Sequence, residues 1–563
     1  MARMQPATPI SSGAGGFSVE PDDVGLDFHL RTFARALMAV GLALCGLAVD
    51  LEAGDLVPAT LQQRLQHELD RANGASTVWG AVVTRADGRP VFATNAHLAF
   101  IPASNTKLFI GAMALDHLGP EARLSTPVRV HHPPDASGTL HSDLWIVGQG
   151  DPTLGTPSAT DPRANGTSVA AGAGGAGETG SAWDRALLPW VARWKSRGLK
   201  RIEGDLVLCD AAVRVPEMGP GWDEEDRAEG YGAPVSAWVV HDNTFRLTAA
   251  TIGPGATEVP FRIEPPLPSL SVDWRVVPGT NASHRIQYQR RSPGGPIEFR
   301  GRYAAGIPGW SAELAVANPA QNFGELLRRT LERQGVAVSG SIRVVHSLSE
   351  APPLEWDRWI SSPLNERLGL CLKPSQNLHA QLLLAEVGRR AEQAAGSKAL
   401  SSSTSSSPRR HDEWGLTVLP AFLSRAGVAE GAVRLEEGSG LSRANRVTPA
   451  ATVALLRFMA GHPQQRVWKD SLPAGGVDGT LRHRFKNGPA RGRVRAKTGS
   501  LRGVHALGGY VTTAGGRELV FAIYANQAQG DSDARARMDR FVEILAGADS
   551  WDGEPIPTPG PRP

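Results

Sequence analysis

Cysteine is scarce: Cys45, Cys209 and Cys371 are the three present in 563 residues. Cys45 sits inside an apolar run, so the rest of the chain forms at most one disulfide, and two separate buried thiols at Cys209 and Cys371 are the expected state. Excess charge of one sign is lacking too. A formal net charge of +3 carries no nucleic-acid footprint. There is no H-E-x-x-H, and His131-His132 in a Pro-rich loop reads as solvated, so metal-dependent peptide hydrolysis is disfavoured and no metal or other cofactor is expected. The G-x-S-x-G elbow of the ordinary α/β-hydrolases is also missing.

What is present points to a multidomain exported protein. The length exceeds what one core usually organises, so two or three domains are expected, and 63 Gly with 42 Pro imply many turns. Arg31 and Arg35 precede the apolar run Ala36–Val49, with Gly46-Leu47-Ala48 as a small-residue cleavage step, so residues 1–53 read as a signal or anchor segment. That run is short for a transmembrane span. Glu20, Asp22, Asp23 and Asp27 suit a signal n-region poorly, so cleavage and retention as a membrane anchor both stay open. Leu44 before Cys45 argues against a lipoprotein site. The expected location is the periplasm or cell envelope.

Periodicity predicts a helix over Pro58–Ala72, with Leu61, Leu65 and Leu69 on one face, then strands Val78–Thr84 and Val91–Thr94 around the turn Ala86-Asp87-Gly88-Arg89. At the other end, Arg493–Thr498, Ala506–Thr513 and Glu518–Tyr524 alternate like strands, and Asp531–Leu545 reads as an amphipathic helix. Two early and three late strands make one antiparallel sheet between the first and last helices, so the fold class is α+β. The catalytic domain is then 54–118 plus 355–548, and 119–354 is inserted. That insertion is mostly β, with strands such as Leu144–Val147, Gly204–Leu208 and Phe245–Ala249 and a helix near Asn322–Gln334. Gly155–Ser181 and Gly396–Pro408 are too poor in apolar side chains to build a core, and the tail 549–563 is Pro-rich.

Three motifs carry chemistry. Ser104-Asn105-Thr106-Lys107 opens an apolar helical pattern, which puts Ser104 and Lys107 on one face. A serine hydroxyl needs a base to attack a carbonyl, and a desolvated lysine supplies one. Ser375-Gln376-Asn377 lies at a second helix entrance, placed for proton relay and amide recognition, although capping by Ser375 explains it as well. Lys497-Thr498-Gly499-Ser500 ends a predicted strand, offering a cation and a hydroxyl to a carboxylate, close backbone approach at Gly499, and an N–H that joins that of Ser104 in an oxyanion hole. Each has a bland alternative on its own; their order S-x-x-K, S-x-N, K-T-G, each in fitting local structure, is far harder to obtain by accident.

With these motifs, and with Gly150-Asp151-Pro152-Thr153-Leu154, Pro220-Gly221-Trp222, Ala233-Pro234-Val235-Ser236 and Gly438-Ser439-Gly440-Leu441-Ser442-Arg443, the sequence resembles the low-molecular-mass class C penicillin-binding proteins, the D-alanyl-D-alanine carboxypeptidase/endopeptidase family. The resemblance implies a penicillin-binding-protein/β-lactamase-like domain interrupted by inserted domains, peptidoglycan stem peptides as substrates and β-lactams as covalent inhibitors. It also assigns roles. Ser104 is the nucleophile, Lys107 its base and Ser375 the proton relay; Asn377 holds the acyl chain, and Lys497 and Thr498 receive the terminal carboxylate. Asp226, in the acidic segment after Trp222, falls where a carboxylate gripping a side-chain ammonium is expected, against the alternative of a solvated acidic run. Glu437 stands where the family often has Asp. A β-lactamase-like hydrolase and a catalytically repurposed peptidoglycan-binding protein are the alternatives. Stem-peptide type and oligomeric state are not legible at this level.

Overall fold

The computed structural model describes residues 60–70, 77–154, 186–280, 282–396 and 409–549. The expected signal or anchor segment, the Gly155–Ser181 tract, residues 397–408 of the second polar stretch and the tail beyond Asp549 lie outside the described residues.

Helix α1 (Leu61–Asp70) starts at a reciprocal cap, Thr60 Oγ1 accepting from the Gln63 N–H at 3.2 Å while Gln63 Oε1 accepts from the Thr60 N–H at 2.9 Å. Its Leu61, Leu65 and Leu69 are buried, four residues apart on one face. Strands β1 (Val78–Arg85) and β2 (Pro90–Thr94) form the expected hairpin. A 3-10 turn at Ala103–Asn105 leads into α2 (Thr106–Leu118). Later come α3 (Asn377–Ala395) and α4 (Pro449–Ala460), then β3 (Val494–Leu501), β4 (Val504–Thr512), β5 (Glu518–Asn526) and α5 (Asp531–Ala546).

The five strands make one antiparallel sheet in the order β3-β4-β5-β1-β2. Its alternation assigns each face a separate core. From β5, Leu519, Phe521, Ile523 and Ala525 join Leu65 of α1 and Phe541 of α5. Val520, Ala522 and Tyr524, on the opposite face, join Leu108 and Met113 of α2 and Leu455 of α4. The fold is α+β, with helices on both faces. Strand β3 runs through Lys497, Thr498 and Gly499 to Leu501, beyond the Thr498 expected as its end, because Lys497–Leu501 keeps register with Val504–Gly508.

Between α2 and α3 the chain builds two further bodies. A five-stranded mixed sheet, in the order Ile342–Val345, Leu206–Cys209, Leu144–Val147, Ser125–Val130, Leu354–Ile360, is covered by helices Leu188–Ser196 and Pro319–Arg333. Leu354–Ile360 straddles the boundary expected at 354 and pairs along Ser125–Val130. Leu188–Ser196 went unread in the sequence, its buried Trp190, Val191 and Trp194 coming just after the polar tract. Two three-stranded sheets enclose a smaller core around Phe245, Phe299 and Tyr303. Cys209 and Cys371 are buried and free, as expected. Among the described residues no helix is long and apolar enough to cross a membrane.

Candidate active site

Ser104 is set by strain and by two anchors in the chain just before it. Asn526, at the end of β5, accepts the Ile101 N–H at 2.8 Å and donates to the Ile101 carbonyl at 3.2 Å. Phe100 exchanges backbone hydrogen bonds with Val447 at 2.8 and 3.0 Å. Two residues after Ile101, buried Ala103 takes a φ of 46°, a left-handed conformation that a non-glycine residue holds at a cost of about 1–3 kcal/mol. The turn lies against two glycines. A methyl on Gly440 (φ 91°) would stand 2.0 Å from the Ala103 carbonyl oxygen, and one on Gly499 would stand 2.7 Å from the Pro102 oxygen and 3.1 Å from the Ser104 nitrogen. Gly499 is therefore where β3 closes on the backbone of the candidate nucleophile.

Lys107, one turn along and fully buried, makes three contacts: Ser104 Oγ at 2.9 Å, Asn377 Oδ1 at 2.6 Å and the Ser439 carbonyl at 2.5 Å. The Asn377 amide has one sensible orientation, since its Nδ2 donates to the Tyr231 carbonyl at 2.9 Å. Burial pulls Lys107 from the usual lysine range down to about 8, opposed in part by the Glu437 charge nearby. A neutral lysine has two N–H bonds and one lone pair. Asn377 Oδ1 and the Ser439 carbonyl take the two hydrogens, which leaves the lone pair for the Ser104 hydroxyl.

Lys497 approaches from β3. Its Nζ donates to Ser375 Oγ at 2.7 Å and to the Thr498 carbonyl at 2.9 Å. Burial holds its pKa well below the ordinary value, and the Lys107 charge adds to the effect. Ser375 itself has a φ of 71°, so the capping explanation gives way to a strained loop that aims the hydroxyl at Lys497; Gln376 caps α3 in its place, without a side-chain hydrogen bond. The loop is clasped from outside: Thr480 N donates to the Lys373 carbonyl at 3.0 Å, and Lys373 pairs with Asp478. Thr498 Oγ1 donates to Thr480 Oγ1 at 2.8 Å. Ser500 is exposed, its hydroxyl 3.4 Å from His505 Nδ1.

Ser104, Lys107, Ser375, Asn377, Lys497, Thr498 and Gly499 thus form one connected cluster. Asp226 stands outside it, two contacts away: its Oδ1 accepts from the Tyr231 hydroxyl at 2.8 Å, and the same tyrosine's carbonyl orients Asn377. Burial raises the Asp226 carboxyl, and the neighbouring Asp223 and Glu225 add to the rise. Three contributors escaped the sequence reading. The Tyr231 and Ser439 carbonyls carry no residue-type signal. Asp242, whose carboxylate receives Gln376 Nε2 at 2.5 Å and sits 2.7 Å from His379 Nε2, is far away in the inserted region. Among the described residues no His/Cys/Asp/Glu group is arranged to hold a metal ion.

Comparison with known proteins adds to this geometry. The D-Ala-D-Ala carboxypeptidase 3 (S13) family matches residues 61–548. The chain is 31% identical over 466 residues to the D-alanyl-D-alanine carboxypeptidase of Actinomadura sp. (strain R39), covering 80% of this chain and 77% of that one. To D-alanyl-D-alanine carboxypeptidase DacB of Haemophilus influenzae it is 26% identical over 363 residues, 64% of this chain and 72% of the relative. The crystal structure of penicillin binding protein 4 (dacB) from Haemophilus influenzae superposes with a TM-score of 0.68 at 22% identity, covering 85% of this chain and 98% of that one. The same protein complexed with a novel β-lactam superposes at 0.65, with 21% identity and coverage of 86% and 98%. The fold is therefore that of penicillin binding protein 4.

Substituting Gly440 by Ala tests the packing around Ser104. The added methyl meets backbone, which cannot swing aside, and the left-handed φ is lost, so Gly440→Ala should cost about 2–4 kcal/mol in urea denaturation. Covalent labelling of Ser104 should slow in step, and a variant as stable and as reactive as the parent would show that the turn is not packed as described.

Proposed function

Because the chain belongs to the D-Ala-D-Ala carboxypeptidase 3 (S13) family and is a serine-type D-alanyl-D-alanine carboxypeptidase, we propose that Ser104 is its nucleophile and Lys107 the base that activates it. The observation that carries the proposal is the 2.9 Å approach of Lys107 Nζ to Ser104 Oγ, with the other two Nζ contacts occupied by groups that only accept.

The proposed reaction uses each of these groups in turn. Lys107 takes the Ser104 proton as Oγ bonds to the carbonyl carbon of the penultimate D-alanine, and the N–H groups of Ser104 and Ser500 receive the oxyanion. Collapse breaks the C–N bond, the proton taken by Lys107 is relayed through Ser375 to the departing amine, and water later hydrolyses the acyl-enzyme. Lys497 and Thr498 face the terminal carboxylate. The edge of β3 supports this reading: up to Ala496 it is covered by Pro473–Gly475, while beyond Ala496 no strand pairs with its outer side among the described residues, so an extended peptide can add there. A cross-linked stem peptide presents the same D-alanyl carbonyl, so endopeptidase cleavage belongs to the proposal, as does acylation of Ser104 by β-lactams. Export to the periplasm or cell envelope by the 1–53 segment, cleaved or kept as a membrane anchor, suits an enzyme of wall peptides. Asp226 is proposed to grip a side-chain ammonium of the stem peptide.

Intact-mass measurement after penicillin treatment should show one adduct on the parent and none on folded Ser104→Ala; full labelling of that variant would remove the central assignment. The parent's acylation rate should climb with pH to a plateau through about 8, because only the neutral Lys107 accepts the serine proton. Asp226→Asn should lower kcat/KM for peptides with a free side-chain amine by roughly 5- to 150-fold while leaving simple penicillins, which lack the amine, almost unaffected. Equal effects on both ligand classes would count against a role in gripping that amine.

A further inference from the structure

Glu437 is almost wholly buried, with 1% of its surface exposed, and no acid–base step assigned above uses it. Its carboxylate collects five donors from four parts of the chain. Oε2 accepts from the Ser439 N–H at 2.6 Å, Gln381 Nε2 at 3.1 Å and Trp222 Nε1 at 3.2 Å; Oε1 accepts from the Gly440 N–H at 2.6 Å and Asn445 Nδ2 at 2.8 Å. Five donors converging on one group select a full negative charge over any neutral isostere, because an amide there would turn its own N–H bonds toward other donors. Two of the five are the backbone N–H groups that flank the Ser439 carbonyl, the carbonyl that takes one Lys107 hydrogen at 2.5 Å. Gly440, the next link, lies on the strained Ala103 turn.

We infer that Glu437 is a positioning residue for the acylation step: its carboxylate folds the Glu437–Gly440 turn so that the Ser439 carbonyl holds Lys107 with its lone pair on Ser104. The inference rests on the proposed roles of Ser104 and Lys107. It has a geometric part, the placement of the carbonyl, and an electrostatic part, a buried anion near the lysine. The charged or titratable groups facing Lys107 are Glu437 from this turn, Lys497 from β3 and the Cys371 thiol from helix Leu364–Leu372. The Cys371 thiol is pushed up to about 11 by burial, so it stays neutral below that pH and Glu437 is the anion of the set.

The two parts separate in a pH–rate profile. Glu437→Gln removes the anion and misdirects the turn. Its acylation plateau should fall about 10- to 100-fold, and its rise should move to lower pH by about half a unit or more, since the lysine loses an anion that favours its protonated form. Glu437→Asp keeps the charge but shortens its reach by a methylene; its plateau should fall about 3- to 10-fold while the rise stays near the parent position. Penicillin acylation followed by mass spectrometry, with thermal melting beside it, reads both. An unshifted rise with a lowered plateau in Glu437→Gln would mean that the residue merely supports structure, and a parent-like plateau in Glu437→Asp would overturn the inference even where Glu437→Gln fails to fold. The parent and Ser104→Ala, run together, test the nucleophile separately: labelled Ser104→Ala sinks that reading, whereas a labelled parent with an unaltered Glu437 series sinks this one alone.

Discussion

A lysine ammonium buried away from water must be surrounded by acceptors or give up its proton, and the candidate active site is arranged around Lys107 in that position. Desolvation alone would favour the neutral amine. Three acceptors stand 2.5–2.9 Å from its Nζ, and the Glu437 charge opposes the effect of burial in part, which leaves the group at about 8. Each acceptor requires further structure. Ser104 depends on the left-handed Ala103 turn and the Asn526 clamp, Asn377 on the Tyr231 carbonyl, and Ser439 on the Glu437 carboxylate. Lys497, the other buried lysine among the described residues, adds repulsion that further disfavours double protonation. Two lysines sharing one dry site thus tend to divide the available charge between them.

Much of the frame was legible because the physics behind it is local. The Leu61, Leu65 and Leu69 spacing gave α1, the two-residue alternation gave the five strands, and the S-x-x-K and S-x-N motifs lie at helix starts as read. Long-range backbone groups stayed hidden. Nothing in Tyr231 marks its carbonyl as the partner of Asn377, and the burial of Glu437 shows only once Trp222, Gln381 and Asn445, far apart in the chain, converge on it. The extension of β3 to Leu501 was missed for a related reason: Gly499 and Ser500 read as a strand end by propensity, yet pairing with Ala506 and His505 carries the ladder on.

The inserted region is more than a decoration on this frame. Trp222 donates to Glu437, the Tyr231 carbonyl orients Asn377, and Asp242 receives Gln376 inside the S-x-N loop. Asp242 is drawn below the usual carboxylate range: burial opposes its charge, but His379, His241 and Gln376 together more than offset it. These contacts fix a loop whose Ser375 is itself in a strained conformation, so rigidity at the candidate relay is supplied from outside the sheet that carries Lys497.

The strand order has a temporal meaning. β1 lies between β2 and β5, its residues 78–85 paired along 519–526, so during synthesis the first hairpin waits for most of the chain to follow. A lone two-stranded hairpin is marginal in water, whereas the two inserted bodies enclose cores of their own from residues between 128 and 359 and can form as they emerge. The candidate nucleophile is thus made early and armed late: until β3 brings Gly499 against its backbone and β5 brings Asn526 to Ile101, Ser104 is an ordinary serine.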